Sequence, residues 1–505
     1  MQELLPQIPK VEDITKVDVR YQLIPPFASA HIFWDPKSKQ LVYHVIEPEL
    51  NEKEKQVLRL ITETLVEVLE VEISTLKKEE VEDIITEATK RILKEYNIKV
   101  DKDTLSKIMY YIFRNSVGFN EIEPLMRDPY IEDISCDGVG IPIFVVHKKF
   151  GSLRTNIVFS DLRRLQDFVI KLAQRTGRYI SYAEPLLDGT LPDGSRVQAT
   201  FSKDVTTRGP TFTIRKFPEK PLSIVSLMKN GTVNSEILAY LWLAIQNRCN
   251  ILITGGTGSG KTTLLNAICV FIPRAAKVVS VEDTRELTLP HENWTPAVTR
   301  SGFGPPDVTG KRYGEVDLFD LLKESFRQRP DYVIVGEVRG AEAFVLFQGA
   351  ASGHPSLGTI HAGSVEEVVK RLQGPPINLP STFIKLLDIV VVMTFAKTLG
   401  ENVRRVKEVS EITFVDPRTG EVTEKKVFIW DPATDSFKAA PESEVLRKIS
   451  ENTGIPMEKL KEEIEKRKKI LEWLVNRNVE DYSEVAKYIE MYEKSPDELL
   501  KLVGG

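Results

Sequence analysis

Gly255-Gly-Thr-Gly-Ser-Gly-Lys261-Thr262 fits the pattern G-x-x-x-x-G-K-[ST] at every position. Upstream, Asn250-Ile-Leu-Ile-Thr254 is a short apolar run of the kind that forms a strand buried in a parallel sheet. Downstream, Leu264, Leu265, Ile268 and Phe271 fall on one helical face. Strand, glycine loop and helix are the parts that hold a triphosphate. The glycines let backbone N–H groups turn inward, and the helix N-terminus adds its positive end. Gly256, Thr257, Gly258, Ser259, Gly260, Lys261, Thr262 and Thr263 are therefore expected to line the phosphates of a nucleotide such as ATP. Lys261 would reach the β- and γ-phosphates and Thr262 would ligate Mg²⁺. A glycine-rich turn before a core helix is the competing reading, and the flanking pattern argues against it.

The chain around this loop has 505 residues, which suggests roughly three domains. A hydrophobic fraction of 42% and a charged fraction of 28% describe an ordinary globular chain with material for large cores. The net charge of −5 argues against a protein that coats nucleic acid. Cys136, Cys249 and Cys269 are scattered, so neither a disulfide framework nor a zinc site is suggested, as expected of a reducing cytoplasm. The opening Met1 to Lys10 lacks the basic-then-apolar pattern of a signal peptide. The apolar run Leu386 to Met393 is too short to span a membrane and is interrupted by Asp388. Any membrane role is expected to be peripheral.

In chain order, Ala28–Trp34 and Gln40–Ile46 read as a hairpin across Asp35-Pro-Lys-Ser. Asn51-Glu-Lys-Glu54 resembles a capping box before the stripe Val57, Leu58, Ile61, Leu65 and Val68, and two further helical stripes follow. This mostly helical segment, 1–128, carries no catalytic pattern and reads as a docking or packing domain. Residues 129–217 read as a small α/β domain. It has strands near Ile143–His147, Leu153–Phe159, Val197–Phe201 and Pro210–Phe217, and a tight turn at Leu191-Pro-Asp-Gly-Ser-Arg-Val197. A linker is expected at 218–224. From 225 to 408 strand and helix alternate as in a doubly wound sheet. A hairpin and charged helices, 409–505, are expected to cover that core or a neighbouring subunit.

Ligands of such sheets sit beyond the carboxyl ends of the strands, where Glu282, Glu337 and His361 fall. Glu337, after Tyr332-Val-Ile-Val-Gly336, is the natural carboxylate to hold magnesium through water. Glu282 is a candidate to orient or deprotonate the attacking water, with Asp283 in support, although Glu-Asp-Thr-Arg is also an ordinary capped turn. His361 reads either as a structural histidine or as a hydrogen-bond partner of the γ-phosphate. Arg196, Arg208 and Arg215 are either solvated surface or fingers that reach a neighbour's nucleotide.

The phosphate loop, Val281-Glu-Asp-Thr-Arg-Glu-Leu287, Arg327 to Arg339 and Gly358-Thr-Ile-His-Ala362 resemble, in order and spacing, the Walker A, Asp box, Walker B and His box of the secretion ATPase superfamily. The resemblance covers roughly residues 130–400 and looks like an archaeal type II secretion, type IV pilus or archaellum assembly ATPase. It implies a RecA-like domain with a mainly parallel sheet, preceded by a PAS-like α/β domain and a mostly helical N-terminal domain. It further implies a homohexameric ATPase on the inner face of the cell membrane, working on a polytopic platform protein, with ATP and Mg²⁺ as cofactors; the acidic balance and the absence of an aromatic-basic stripe add the expectation of no nucleic-acid partner. Glu282 becomes the catalytic carboxylate, Glu337 the Mg²⁺-side glutamate, His361 a phosphate-sensing residue, and Arg208 and Arg215 phosphate-reaching residues. Two departures stand out. The chain lacks the four-cysteine insertion of bacterial type II members, and Glu-Asp-Thr-Arg replaces the Glu-Asp-Pro of pilus ATPases. Together they argue against a bacterial type II member, and the second is closer to archaeal and conjugation-type members; a conjugation-type traffic ATPase or nucleic-acid translocase is the alternative reading.

Overall fold

The computed structural model describes residues 13–68, 78–217, 220–302, 304, 307–308, 310–398, 401–416 and 419–504. The opening Met1 to Lys10, and Pro218 and Glu219 of the expected linker, lie outside the described residues. The chain divides into two compact units, Met1–Pro218 and Glu219–Gly505.

The first unit is built on one nine-stranded sheet. Its strands are β1 (Asp18–Ile24), β2 (Ala28–Asp35), β3 (Gln40–Ile46), β4 (Ile131–Cys136), β5 (Pro142–His147), β6 (Gly151–Val158), β7 (Leu186–Thr190), β8 (Arg196–Thr200) and β9 (Thr211–Arg215). Their order is β1-β2-β3-β6-β5-β4-β9-β8-β7. The segments expected as separate domains, 1–128 and 129–217, thus share a sheet, joined where β3 pairs with β6 in parallel at Val42↔Arg154 and Tyr43↔Thr155. A buried carboxylate at the end of the first of these segments ties it back to β1 and β3. The hydroxyls of Tyr21 and Tyr43 each donate to Asp128 Oδ2 at 2.6 Å. In low dielectric such charge-assisted bonds are short and strong. The helices Glu52–Val68, Lys78–Glu95 and Lys102–Ser116 gather round their own apolar cluster, which includes Ile61, Ile85, Ile92 and Ile108. The Asn51 and Glu54 side chains accept each other's backbone N–H at 3.0 and 2.8 Å, the capping box expected from their spacing. Between β7 and β8 the turn closes through Leu191 N to the Ser195 carbonyl at 2.8 Å, with Gly194 at φ +90°.

The second unit holds β10 (Ile251–Gly255), β11 (Val278–Glu282), β12 (Trp294–Val298), β13 (Tyr332–Val338), β14 (Ser356–Ile360), β15 (Ile389–Thr398), β16 (Glu401–Val415), β17 (Val422–Asp431) and β18 (Ser436–Ala439). The order is β12-β11-β13-β14-β10-β15-β16-β17-β18. The pairings from β12 through β15 are parallel and those beyond β15 antiparallel. Every residue of β10, β11 and β14 is buried, as a sheet covered on both faces requires. One apolar cluster packs Ser235–Gln246, Lys261–Ile268 and the C-terminal helices Glu444–Thr453, Met457–Asn476 and Tyr482–Lys494 against the sheet. The other cluster packs Leu318–Arg327, Glu342–Ala351 and Val365–Gln373. The apolar run at Leu386 to Met393 leads into β15. Its Asp388 accepts from Asn250 N at 2.8 Å and pairs with Lys448. Among the described residues no helix is long and apolar enough to cross a membrane.

β11 neighbours β13 rather than β10, so the chain leaving β10 crosses two strands. That crossing opens the crevice at the carboxyl ends of β10, β11, β13 and β14, where Lys261, Glu282, Glu337 and His361 fall.

Candidate functional site

The glycine loop leaves the carboxyl end of β10 and turns tightly enough that side chains are excluded from part of it. A Cβ on Gly255 would stand 2.5 Å from Ser259 Oγ and 2.6 Å from the Met393 carbonyl. Gly258 and Gly260 have φ of +72° and +92°, and Gly260 is the N-cap of the helix Lys261–Ile268. Ser259 Oγ donates to the Gly256 carbonyl at 2.8 Å and closes the loop on itself. An added Cβ on Gly256 or Gly258 would meet nothing within 4 Å, so the backbone there is open to an incoming anion. Thr262 and Thr263 stand half-buried on the first turn of the helix. The loop therefore fits the phosphates of a nucleotide.

From Lys261 a line of polar contacts runs across the strand ends. Its Nζ donates to the Gly256 carbonyl at 3.0 Å and lies 3.3 Å from His361 Nδ1. His361 Nε2 is 3.1 Å from Glu337 Oε1. Glu337 Oε2 accepts from Arg339 Nη2 at 2.6 Å, and Arg339 Nη1 reaches Asp283 Oδ2 at 3.2 Å. An ammonium only donates, so Lys261 makes His361 Nδ1 the acceptor and leaves the ring proton on Nε2, facing the Glu337 carboxylate. Burial, helped by the charges of Lys261 and Arg339, holds the His361 pKa below its ordinary value and keeps the ring neutral. Burial also lowers Lys261, against the opposing pull of Glu337 and Glu286. Burial alone would raise Glu337, but the Arg339 hydrogen bond and the positive charges of Arg339 and Lys261 outweigh it and hold the carboxyl ionised. Two hydroxyls keep the strand ends in place: Thr254 Oγ1 donates to the Ala362 carbonyl at 2.7 Å, and Thr359 Oγ1 to the Gly336 carbonyl at 2.6 Å.

Glu282 behaves differently. Only 1% of it is exposed. Its Oε1 accepts from the backbone N–H groups of Glu286 and Leu287 at 2.9 and 3.0 Å, so the Glu-Asp-Thr-Arg segment is a capped turn. Its Oε2 is buried with no hydrogen-bond partner. Burial pushes the carboxyl up to about 7, against the lowering effect of the two N–H donors. A Cβ on Gly336 would stand 2.9 Å from Glu282 Cγ, so the glycine before Glu337 is what leaves room for the Glu282 side chain. A capped turn and a carboxyl of near-neutral pKa are thus the same residue.

The second unit brings Lys261, His361, Glu337 and the glycine loop together. Arg208 and Arg215 belong to the first unit: Arg208 is exposed, and Arg215 Nε is bonded to Asp133 Oδ1 at 3.1 Å. Arg196 of the same unit pairs with Asp188 at 2.8 Å. Sequence reasoning assigned no role to Arg339 or Arg404. Arg339 lies within a quoted motif, two residues beyond Glu337 on the strand period, and that spacing is the signal that could have found it. Arg404 donates from Nε to the Gly258 carbonyl at 2.8 Å, and no motif surrounds it. Among the described residues no group of three or more His, Cys, Asp or Glu is placed to hold a metal. The hard oxygen donors of Thr262 and Glu337 suit Mg²⁺ shared with phosphate, an ion usually held by few protein groups.

The sequence pattern of the family described as "Type II/IV secretion system protein" matches residues 146–428. An uncharacterized protein of Methanocaldococcus jannaschii is 39% identical over 92% of this chain and 87% of its own length. A probable conjugal transfer protein TrbB of Sinorhizobium fredii is 33% identical over 38% of this chain and 55% of its own. Among solved structures, the VirB11 ATPase from the Brucella suis type IV secretion system is 25% identical, with 59% of this chain and 94% of that chain covered and a TM-score of 0.29.

The raised pKa of Glu282 has a consequence for stability. The folded protein holds this proton more tightly than the unfolded chain, whose glutamate titrates near 4.5. The stabilisation is therefore complete below pH 4.5 and is lost as pH rises through about 7. Over that window it amounts to roughly 3 kcal/mol. Wild type is expected to lose stability relative to Glu282→Gln as pH rises from about 5 to 8, read by chemical denaturation of the nucleotide-free protein. A difference that does not vary with pH would place this carboxyl at its ordinary value.

Proposed function

Because the chain belongs to the type II/IV secretion system protein family, we propose that it is a Mg²⁺-dependent ATP phosphohydrolase acting as a homohexameric motor. Its work is protein secretion or the assembly of pilus or archaellum subunits, through a polytopic platform protein at the inner face of the cell membrane. The observation that carries the reading is the Lys261–His361–Glu337 line below the glycine loop. With nucleotide in the loop, the backbone of Gly256 to Thr263 holds the phosphates. Lys261 exchanges the Gly256 carbonyl for phosphate oxygens, and His361 Nδ1, released from Lys261, is free to take up a proton and donate it in a hydrogen bond to the γ-phosphate. Thr262 and Glu337 would hold Mg²⁺, which when bound neutralises charge on the phosphate oxygens. Arg339 keeps Glu337 ionised and oriented for that task. Glu282, with its partnerless Oε2 and near-neutral pKa, takes the proton from the attacking water.

The segment 129–217 is read as the PAS-like element that lends Arg208 and Arg215 to a neighbour's nucleotide, and 1–128 as a docking element. Residues 225–408 form the RecA-like core on which 409–505 packs, with 218–224 as linker. The similarity to a conjugal transfer protein supports a second reading, a conjugation-type traffic ATPase. Hydrolysis stimulated by DNA would favour that reading, and unstimulated hydrolysis favours the first.

Lys261→Ala should abolish Mg²⁺-dependent release of phosphate from ATP, a fall of at least about 100-fold in kcat. Turnover equal to wild type would remove the loop from the chemistry. Arg208→Ala and Arg215→Ala should lower kcat by about 10³-fold where the residue is a finger, with nucleotide affinity nearly unchanged. Full activity in both variants would exclude them as fingers.

A further inference from the structure

The strand ladders do not set Glu282 beside the phosphate loop directly. In the sheet order β11-β13-β14-β10, two strands separate the one that ends in Glu282 from the one that runs into the loop. A contact outside the sheet spans that gap. Asn266 lies on the helix Lys261–Ile268, four residues beyond Thr262 and so on the same face one turn further on. It is 5% exposed, and its Oδ1 accepts from Thr288 N at 2.9 Å. The two preceding N–H groups, of Glu286 and Leu287, end on Glu282 Oε1. Three successive backbone donors are thus held by two side chains, one on the phosphate helix and one at the end of β11. Leu287 and Leu289 are buried in the same apolar cluster as Leu264, Leu265 and Ile268. The main-chain carbonyl of Asn266 accepts from the Tyr482 hydroxyl at 3.1 Å, so the C-terminal helix Tyr482–Lys494 braces Asn266 in turn.

Apolar packing is non-directional, so the leucines hold the turn against the cluster without fixing its exact place, whereas a hydrogen bond fixes distance and angle. That place matters to the chemistry. A carboxyl that takes a proton from water must stand within hydrogen-bond reach of it, and a misplacement of about 1 Å can cost about 100-fold in rate. A shift of the turn would carry Glu282 Oε1 with it, and with Oε1 the unpartnered Oε2. We propose that Asn266 is a positioning residue for hydrolysis: through the turn 286–288 it fixes the Glu282 carboxyl relative to the phosphates held by its own helix. This rests on the reading of Glu282 as the group that takes the proton from the attacking water. Asn266 itself touches neither phosphate nor water in this role. What the role requires at position 266 is an acceptor of the same reach, which Asp supplies and Ala does not.

The test separates positioning from binding. Hydrolysis of ATP with Mg²⁺ and calorimetric binding of a nonhydrolysable ATP analogue are measured on the full chain as wild type, Asn266→Ala, Asn266→Asp, Glu282→Gln and the double variant Asn266→Ala with Glu282→Gln. Asn266→Ala should lower kcat by about tenfold or more. It should leave analogue affinity within about twofold, which also shows that the variant is folded, and Asn266→Asp should recover most of the lost kcat. Added to Glu282→Gln, which is already slow, Asn266→Ala should change kcat by less than about twofold, because a residue that acts through Glu282 has nothing left to position. Wild-type kcat in Asn266→Ala, equal losses of kcat and affinity, no recovery in Asn266→Asp, or the full single-variant loss repeated in the double variant would each overturn the positioning role while leaving Glu282 as the base. Turnover in Glu282→Gln equal to wild type would overturn both.

Discussion

Lys261 shares its ammonium between the Gly256 carbonyl and His361, and through His361 it is coupled to Glu337, Arg339 and Asp283. This line places side chains from beyond the ends of four parallel strands in one low-dielectric crevice, where each charge is balanced by a neighbour. A lysine of this kind costs free energy to bury unless an acceptor replaces water. The loop carbonyl and the imidazole are that replacement. Phosphate oxygens are better acceptors for an ammonium than either, so a triphosphate competes for Lys261 on favourable terms. Once Lys261 moves, His361 Nδ1 loses its donor, while Glu337 is left with His361 Nε2 and Arg339. The nucleotide would then be felt beyond the loop that binds it.

The fold supplies this crevice by burial. β10, β11 and β14 are covered on both faces, which leaves only their ends for polar chemistry. Strand order sets two sides to the loop. Toward β14, β13 and β11 lie the acids and the histidine. Toward β15 and β16 lies Arg404, bonded to the Gly258 carbonyl.

Much of the second unit was legible because its apolar runs end on chemistry-bearing residues: Ile251 to Thr254 before the glycines, Val278 to Val281 before Glu282, Tyr332 to Val335 before Glu337. The capping signal at Asn51-Glu-Lys-Glu54 was legible because both halves of the box lie in four consecutive residues. β12 escaped because Pro296 stands inside it, which an edge strand tolerates and a sequence pattern counts against. The helix Ser235–Gln246 is buried almost all round, so it has no stripe to detect. In the first unit the parallel contact of β3 with β6 joins residues more than a hundred positions apart, and no local period encodes it. The contact of Arg404 with the glycine loop depends likewise on hairpin register. The capped-turn geometry of Glu282 was weighed in the sequence, but the unpartnered Oε2 depends on burial that only packing reveals.

The central claim is that the glycine loop takes a triphosphate by drawing Lys261 away from its present partners. A structure of the protein with Mg²⁺ and a nonhydrolysable ATP analogue tests it most directly. The account predicts phosphates held by the backbone from Gly256 to Thr263, Lys261 Nζ on phosphate oxygens, and His361 no longer bonded to Lys261. An analogue bound elsewhere, or Lys261 still bonded to the Gly256 carbonyl and His361 beneath bound phosphates, would contradict it.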